Sequence, residues 1–390
     1  MPVFSKKLQR SDSQAIIRPL TLDDRGSLEA LISTDPVGFL YAAEHLHLFG
    51  LPTPSTLAAL KTPRGFIGIF APRALMPVEH TPKDALPALS APAGESLPRR
   101  MRGMVQSALR KSSALGVSPA GFYQSDTPTL VGTGSVPGYA EMPAPTASGS
   151  SYVMVGALWL GANCVPLAVP EQYQKQTATY IYKHHRKIGS IFGHQAVVMG
   201  LWEHLAHRMP APFDIRESQP LLELPSGFGL EELALRPLNR DQLSVPQITD
   251  GVRWARTSDR QSLLQASVAM FTEEVGYDPM GSDPAGYARR IDELTRTGRT
   301  LVAVNAEGVV VFKTDVGLAH GDICQLQGVW LHPAYRGLGL APTLLAQASE
   351  LIRARFPRLS LYVNDYNTVA RALYRRTGWQ HVDTFASILL

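Results

Sequence analysis

Cysteine is scarce: Cys164 and Cys324 are the only two in 390 residues. A pair so far apart gives neither a disulfide framework nor a metal-ligand spacing, so no metal is expected. It fits a reducing compartment, and a cytoplasmic location is expected. Long apolar runs are missing too, and no stretch approaches the ~20 residues of a membrane span. The basic segment 1–10 is not followed by an apolar core, so no signal peptide is expected. An excess of one charge is also lacking: 37 Lys and Arg against 33 Asp and Glu leave a net +4. That is too little for a nucleic-acid footprint without a concentrated patch. The one basic cluster, Arg99, Arg100, Arg102, Arg110 and Lys111, reads as a solvated face or linker, with a membrane-surface or acidic-partner contact as the alternative.

What is present is a globular composition, 45% apolar and 18% charged, on a chain long enough for two or more domains. Prolines are unevenly placed: 14 of 30 fall within residues 51–150. With Thr133-Gly134-Ser135 and Met142-Pro143-Ala144-Pro145, this marks residues 71–150 as a Pro/Gly/Ser-rich insertion, with one helix expected at about 98–115. Around it, strands are predicted at 15–20, 65–70, 152–160, 164–169, 190–193 and 213–224. Helices are predicted at 22–32, 37–48, 171–187 and 195–207. Residues 225–229, Pro-Ser-Gly-Phe-Gly, read as a linker. Beyond it the pattern restarts. Arg236-Pro237-Leu238 echoes Arg18-Pro19-Leu20. Helices are predicted at 260–274 and 285–297, and strands at 300–305, 309–316, 324–331 and 383–390. Residues 190–203 align with 360–375, both ending in a small-Leu-aromatic-charged run on a helix after a strand. The expected organisation is therefore two copies of one α/β unit, each a mixed sheet flanked by helices, at 1–228 and 232–390.

The chemistry-bearing stretch is Val329-Trp330-Leu331, then a Pro-containing turn, then Arg336-Gly337-Leu338-Gly339-Leu340-Ala341 opening a helix. Small residues let a ligand approach the backbone, and a helix mouth offers unpaired N–H groups and partial positive charge. Together these make a phosphate or pyrophosphate site. No Gly-Lys-Ser/Thr follows, so it is not a Walker loop, and the dinucleotide register fails at Pro342.

This stretch resembles the acyl-CoA pyrophosphate loop of the GNAT N-acetyltransferase superfamily, Arg/Gln-x-x-Gly-x-Gly/Ala, through Arg336, Gly339 and Ala341. Downstream, Asn367, Ala370, Leu373, Tyr374, Gly378 and Trp379 are similar to the family's Asn-x-x-Ala-x-x-Leu-Tyr-x-x-x-Gly-Phe, with Trp in the last place. The resemblance covers residues 232–390. It implies acetyl-CoA as cosubstrate, an amine acceptor of small-molecule or peptide type, and no metal. It implies that Val329, Trp330 and Leu331 pair with the pantetheine arm, a backbone N–H of Trp330 or Leu331 polarising the carbonyl. Arg336, Gly337, Leu338, Gly339, Leu340 and Ala341 would hold the pyrophosphate. Asn367 would contact the arm, with a helix N-cap as an equally compatible role. Tyr374 would be the acid for the leaving thiolate. The strand position where some family members carry a basic Glu holds Gln325, so the base is open among Glu273, Glu274, Asp322, His320 and a water chain. Cys324 reads as a core thiol.

In the first copy the corresponding loop is Pro170-Glu171-Gln172-Tyr173-Gln174-Lys175, without glycine and with an acidic side chain, and Trp202 stands where Tyr374 does. A degenerate first copy is expected, in a layout similar to tandem GNAT proteins of actinobacteria. A catalytically weak acyl-CoA-binding regulatory or scaffold protein is the alternative. An oligomer is left open by the final strand, whose edge another chain could pair.

Overall fold

Among the described residues, alternating apolar strands and amphipathic helices assemble into one continuous sheet of twelve strands. A computed structural model describes residues 15–55, 65–73, 151–183, 188–238, 245–281 and 283–390. Most of the expected insertion, its helix at 98–115 and the basic cluster lie outside these. The strands are β1 Ile16–Pro19, β2 Gly65–Pro72, β3 Tyr152–Leu160, β4 Asn163–Leu167, β5 Ser190–His194 and β6 Asp214–Leu224. In the second half they are β7 Ile248–Trp254, β8 Thr300–Asn305, β9 Val310–His320, β10 Ile323–Leu331, β11 Arg358–Tyr362 and β12 Gln380–Leu389. Their order is β1-β2-β3-β4-β5-β12-β6-β11-β10-β9-β8-β7. Read from either end, this is the same unit: four antiparallel strands, then a parallel fifth, β5 on β4 and β11 on β10.

The centre of the sheet is an exchange. β6 belongs to the first half in sequence but pairs with β11 of the second, while β12 of the second pairs with β5 of the first. The two exchanged strands pair antiparallel with each other. β12 is thus paired on both edges within this chain, so the edge that the sequence left open to another chain is filled. The cores follow the strands. Ala386 and Ile388 lie in the core of the first half with Ile191, Val198 and Leu201. Leu222 and Leu224 lie in the core of the second with Leu344, Leu359 and Leu361. Each half of the sheet is therefore completed by a strand from the other half of the sequence.

One expectation is corrected. Arg236-Pro237-Leu238 does not begin the second unit: residues Glu231–Ala234 form one helical turn, and the first strand is β7, which the sequence reading missed. The true counterpart of Arg18 is Arg253. The Arg18 fork donates to both carboxylate oxygens of Asp24 at 2.7 and 2.7 Å, and the Arg253 fork to those of Asp259 at 2.7 and 2.8 Å. In each copy the aspartate also accepts from the backbone N–H three residues earlier, Thr21 or Arg256. Pro19 was the misleading residue, because β1 is an edge strand where proline costs no ladder bond.

Where the exchanged strand meets the first half, His194 lies 2.8 Å from Asp35 through Nε2 and 2.9 Å from Asp383 of β12 through Nδ1. His194 thus bridges two carboxylates, one at each ring nitrogen. Burial alone would lower the His194 pKa, but Asp35 and Asp383 outweigh it and raise it. For Asp35, burial is likewise outweighed, by His194 and the Gly38 N–H, and its pKa falls. The His194 contribution to stability is complete below the ordinary histidine value and is lost as pH rises through the raised one. The melting temperature of the wild type should fall by a few degrees across that upper window, and His194→Gln should flatten the dependence. Parallel curves for the two proteins would refute the bridge.

Candidate active site

β10 and β11 are in register only from Ile323 to Gln325. Beyond that point they stop pairing, and a cavity of about 120 Å³ lies between them. Opposite β9, β10 is irregular between Gln327 and Trp330, so Gly328 and Val329 have no register partner there. Gln327, Gly328 and Val329 line the cavity from one side, and Asn367 and Tyr374 from the other. Trp330 and Leu331 are instead in register with Lys313 and Phe312 of β9 and are not among the lining residues. The expected open backbone is therefore displaced two positions toward Gly328, because the bulge occurs there.

The loop after β10 is open. A short 3-10 turn, Pro333–Tyr335, leads to Arg336, and the helix Ala341–Arg353 follows with Pro342 in its first turn. Gly337 and Gly339 take φ of 77° and 74°, and a Cβ on either would meet nothing within 4 Å. Two left-handed glycines carry the exposed loop to the start of the helix, and the space beside them is open. The Arg336 guanidinium is anchored, donating to the Leu331 carbonyl at 2.9 Å and to Glu273 at 2.7 Å.

Glu273 and Glu274 end the helix Arg260–Val275, which stops at left-handed Gly276. Adjacent on a helix, they point about 100° apart. Glu273 pairs with Arg336 and lies 3.5 Å from the indole nitrogen of Trp330. Glu274 lines the cavity with Tyr374. The Tyr374 phenol is raised far above its ordinary value, first by burial and then by the charge of Glu274. It therefore stays protonated, as a proton donor must. Asn367 accepts at Oδ1 from the Ala370 N–H at 3.1 Å, capping the helix Thr368–Arg376, so the cap role and a place in the cavity coexist. The other base candidates lie elsewhere. His320 and Asp322 flank the β9–β10 hairpin turn, His320 against His47, and neither is among the lining residues. Cys324 is fully buried, and burial pushes its thiol up to about 12, which fits the core role.

The sequence reading missed Arg216. It sits on the exchanged strand β6, 8% exposed, and lines the cavity of the other half. Its Nε donates to Asp214 at 3.0 Å and its Nη2 to the Glu274 carbonyl at 3.4 Å. Nearby, Gln219 of β6 donates to Asn364 at 2.8 Å and accepts from Ser387 of β12 at 2.6 Å, tying β6 and β12 to the segment that follows β11. No local pattern reveals this, since the strand exchange brings in residues from a separate repeat. In the first half the helix Glu171–Tyr182 begins directly at Pro170, with an acidic first turn and no glycine loop.

Residues 268–379 match the family model described as the acetyltransferase (GNAT) family, and residues 147–239 match a domain of unknown function, DUF4081. Over 101 residues the chain is 36% identical to the uncharacterized N-acetyltransferase YjgM of Escherichia coli (strain K12), covering 24% of this chain and 60% of that protein. Among solved structures, it is similar to a GCN5-related N-acetyltransferase from Sphaerobacter thermophilus, at 11% identity and TM-score 0.46, over 96% of this chain and 94% of that one. It is also similar to a tandem GNAT protein from the clavulanic acid biosynthesis pathway, at 16% identity and TM-score 0.36, over 61% and 79%. Among the described residues, no helix is long and apolar enough to cross a membrane.

Proposed function

We propose, for a chain whose C-terminal region is a GNAT-family acyltransferase domain, that the β10–β11 cavity transfers an acetyl group from acetyl-CoA to a primary amine of a small molecule or peptide. The observation that carries this reading is the shared cavity of Glu274, Tyr374 and the Gly328–Val329 bulge, next to an open glycine loop at a helix mouth. The residues present fit the cosubstrate. Gly337–Ala341 offer backbone amides on an unobstructed face, and Arg336 adds a cation that Glu273 holds beside the loop. Acetyl-CoA supplies an acyl group activated as a thioester.

The chain's own groups then divide the work. Glu274 accepts the proton of the attacking ammonium, leaving a free amine lone pair. Backbone amides at the bulge orient the carbonyl and stabilise negative charge on its oxygen. Tyr374 donates its proton to the departing sulfur. One C–N bond forms and one C–S bond breaks; the second proton of the acylated nitrogen restores the Tyr374 phenol, and the one net proton released is left on Glu274. The first half has no counterpart of the glycine loop, so transfer is assigned to the second.

The test is labelled acetyl-CoA offered to a panel of amines and peptides. Tyr374→Phe should lower kcat about 100-fold, the general-acid contribution, while leaving CoA affinity by calorimetry unchanged. Saturable CoA binding without transfer to any acceptor, and no effect of Tyr374→Phe beyond binding, would instead mark an acyl-CoA-binding regulatory protein.

A further inference from the structure

We infer that Arg216, delivered by the first half on the exchanged strand β6, is a positioning residue for the base Glu274, so that the acetyl-transfer site belongs to both halves of the chain. The inference rests on the acyl-transfer reading of the cavity. It also assigns a task in the site to β6, which lies within residues 147–239.

The geometry points this way. Glu274 is in the last turn of its helix, one residue before Val275. A carboxylate at a helix C-terminus also faces the negative end of the dipole, which favours its protonation. A base needs the opposite, a carboxylate kept ionised and aimed. Arg216 meets that need. It is buried, its Nη2 donates to the Glu274 carbonyl, and both side chains line the same cavity. Asp214 holds its Nε at 3.0 Å, fixing the plane of the guanidinium. Burial lowers the Arg216 pKa, but Tyr366, Asp214 and Glu274 together outweigh it and raise it. The other titratable groups around this corner are the phenols Tyr362, Tyr366 and Tyr374, raised first by burial, the carboxylates Asp214 and Asp365, and, beside Gly328, the buried pair of Lys313 with Asp315 at 2.6 Å. The phenols stay neutral across the working range and Lys313 is held by Asp315, so Arg216 is the cation whose guanidinium contacts the Glu274 main chain. A fixed cation lowers a carboxylate's pKa by 1–3 units.

The strand exchange is what makes this possible. β6 pairs with β11 at Tyr362↔Leu221 and with β12 at Ser387↔Arg216.

The experiment is acetyl-CoA turnover by the full chain, read as free-thiol release, with water and with the amine panel as acceptors. Arg216→Gln should lower kcat roughly ten- to a hundred-fold, the loss expected of a misplaced catalytic group. CoA affinity and the KM for acetyl-CoA should not change. The acidic limb of kcat/KM against pH should move up by about one unit, because Glu274 loses its cation. Arg216→Lys, which keeps the charge without the fork, should restore the limb and part of kcat, and it serves alone if the glutamine variant cannot be purified. In the Glu274→Gln background, Arg216→Gln should have little further effect. A wild-type limb and rate in Arg216→Gln would overturn this inference and leave acyl transfer intact. If the wild type releases no thiol with any acceptor while binding CoA, the acyl-transfer reading fails and this inference fails with it.

Discussion

Gly339→Glu should abolish measurable CoA binding by calorimetry while leaving the melting temperature within a few degrees of wild type. The position has two properties that seldom coincide. A Cβ there meets nothing within 4 Å, so the new side chain costs the fold no steric clash. The residue also stands at φ 74°, immediately before Leu340, the N-cap of the helix Ala341–Arg353. On the acetyl-CoA reading proposed above, a carboxylate there would stand beside the diphosphate, and like charges placed together cost several kcal/mol. At about 1.4 kcal/mol per decade, that is a loss of 100-fold or more. Gly339→Ala separates the two effects, since it bears only the backbone strain of the left-handed region, about 1 kcal/mol. Affinity unchanged in the glutamate variant would remove the pyrophosphate assignment.

Ile388→Ala should destabilise the half of the protein to which it does not belong in sequence. Ile388 is fully buried, in register with Ile191 of β5 and Ile215 of β6, and lies in the core with Val198 and Leu201. Truncating such a side chain costs about 2–5 kcal/mol. Leu224→Ala is the reciprocal change: Leu224 is equally buried, opposite Leu359, in the second core. Hydrogen exchange resolves the two. Ile388→Ala should speed exchange in β5 and the helix Gln195–Leu205, and Leu224→Ala in β11 and the helix Ala341–Arg353. If each variant loosened only its own repeat, the exchange of strands would be wrong.

Most strands and helices were legible because each carries its own periodicity. Leu28 and Ile32 are buried on one helix face as the spacing predicts, and the continuous apolar runs at Cys164 and Leu301 became interior strands. β7 was not legible, because Asp250 and Gly251, both at positive φ, interrupt it. The glycine loop was legible because its glycines are needed for the backbone itself. Glu273 could not be told from Glu274 in sequence, since one residue of helical rotation decides which meets Arg336 and which meets the cavity. Arg216 was beyond reach for a different reason: its place depends on which strands pair across the centre of the sheet, and no local pattern encodes that.

The interlock of β6 and β12 has a consequence for biosynthesis. A nascent chain emerging from the ribosome carries every residue of the first repeat long before residues 380–389 exist, so that repeat must wait with a strand-wide gap beside β5. Contacts this distant in sequence form slowly. The waiting intermediate exposes an unpaired β5 edge that a chaperone would have to shield from other chains.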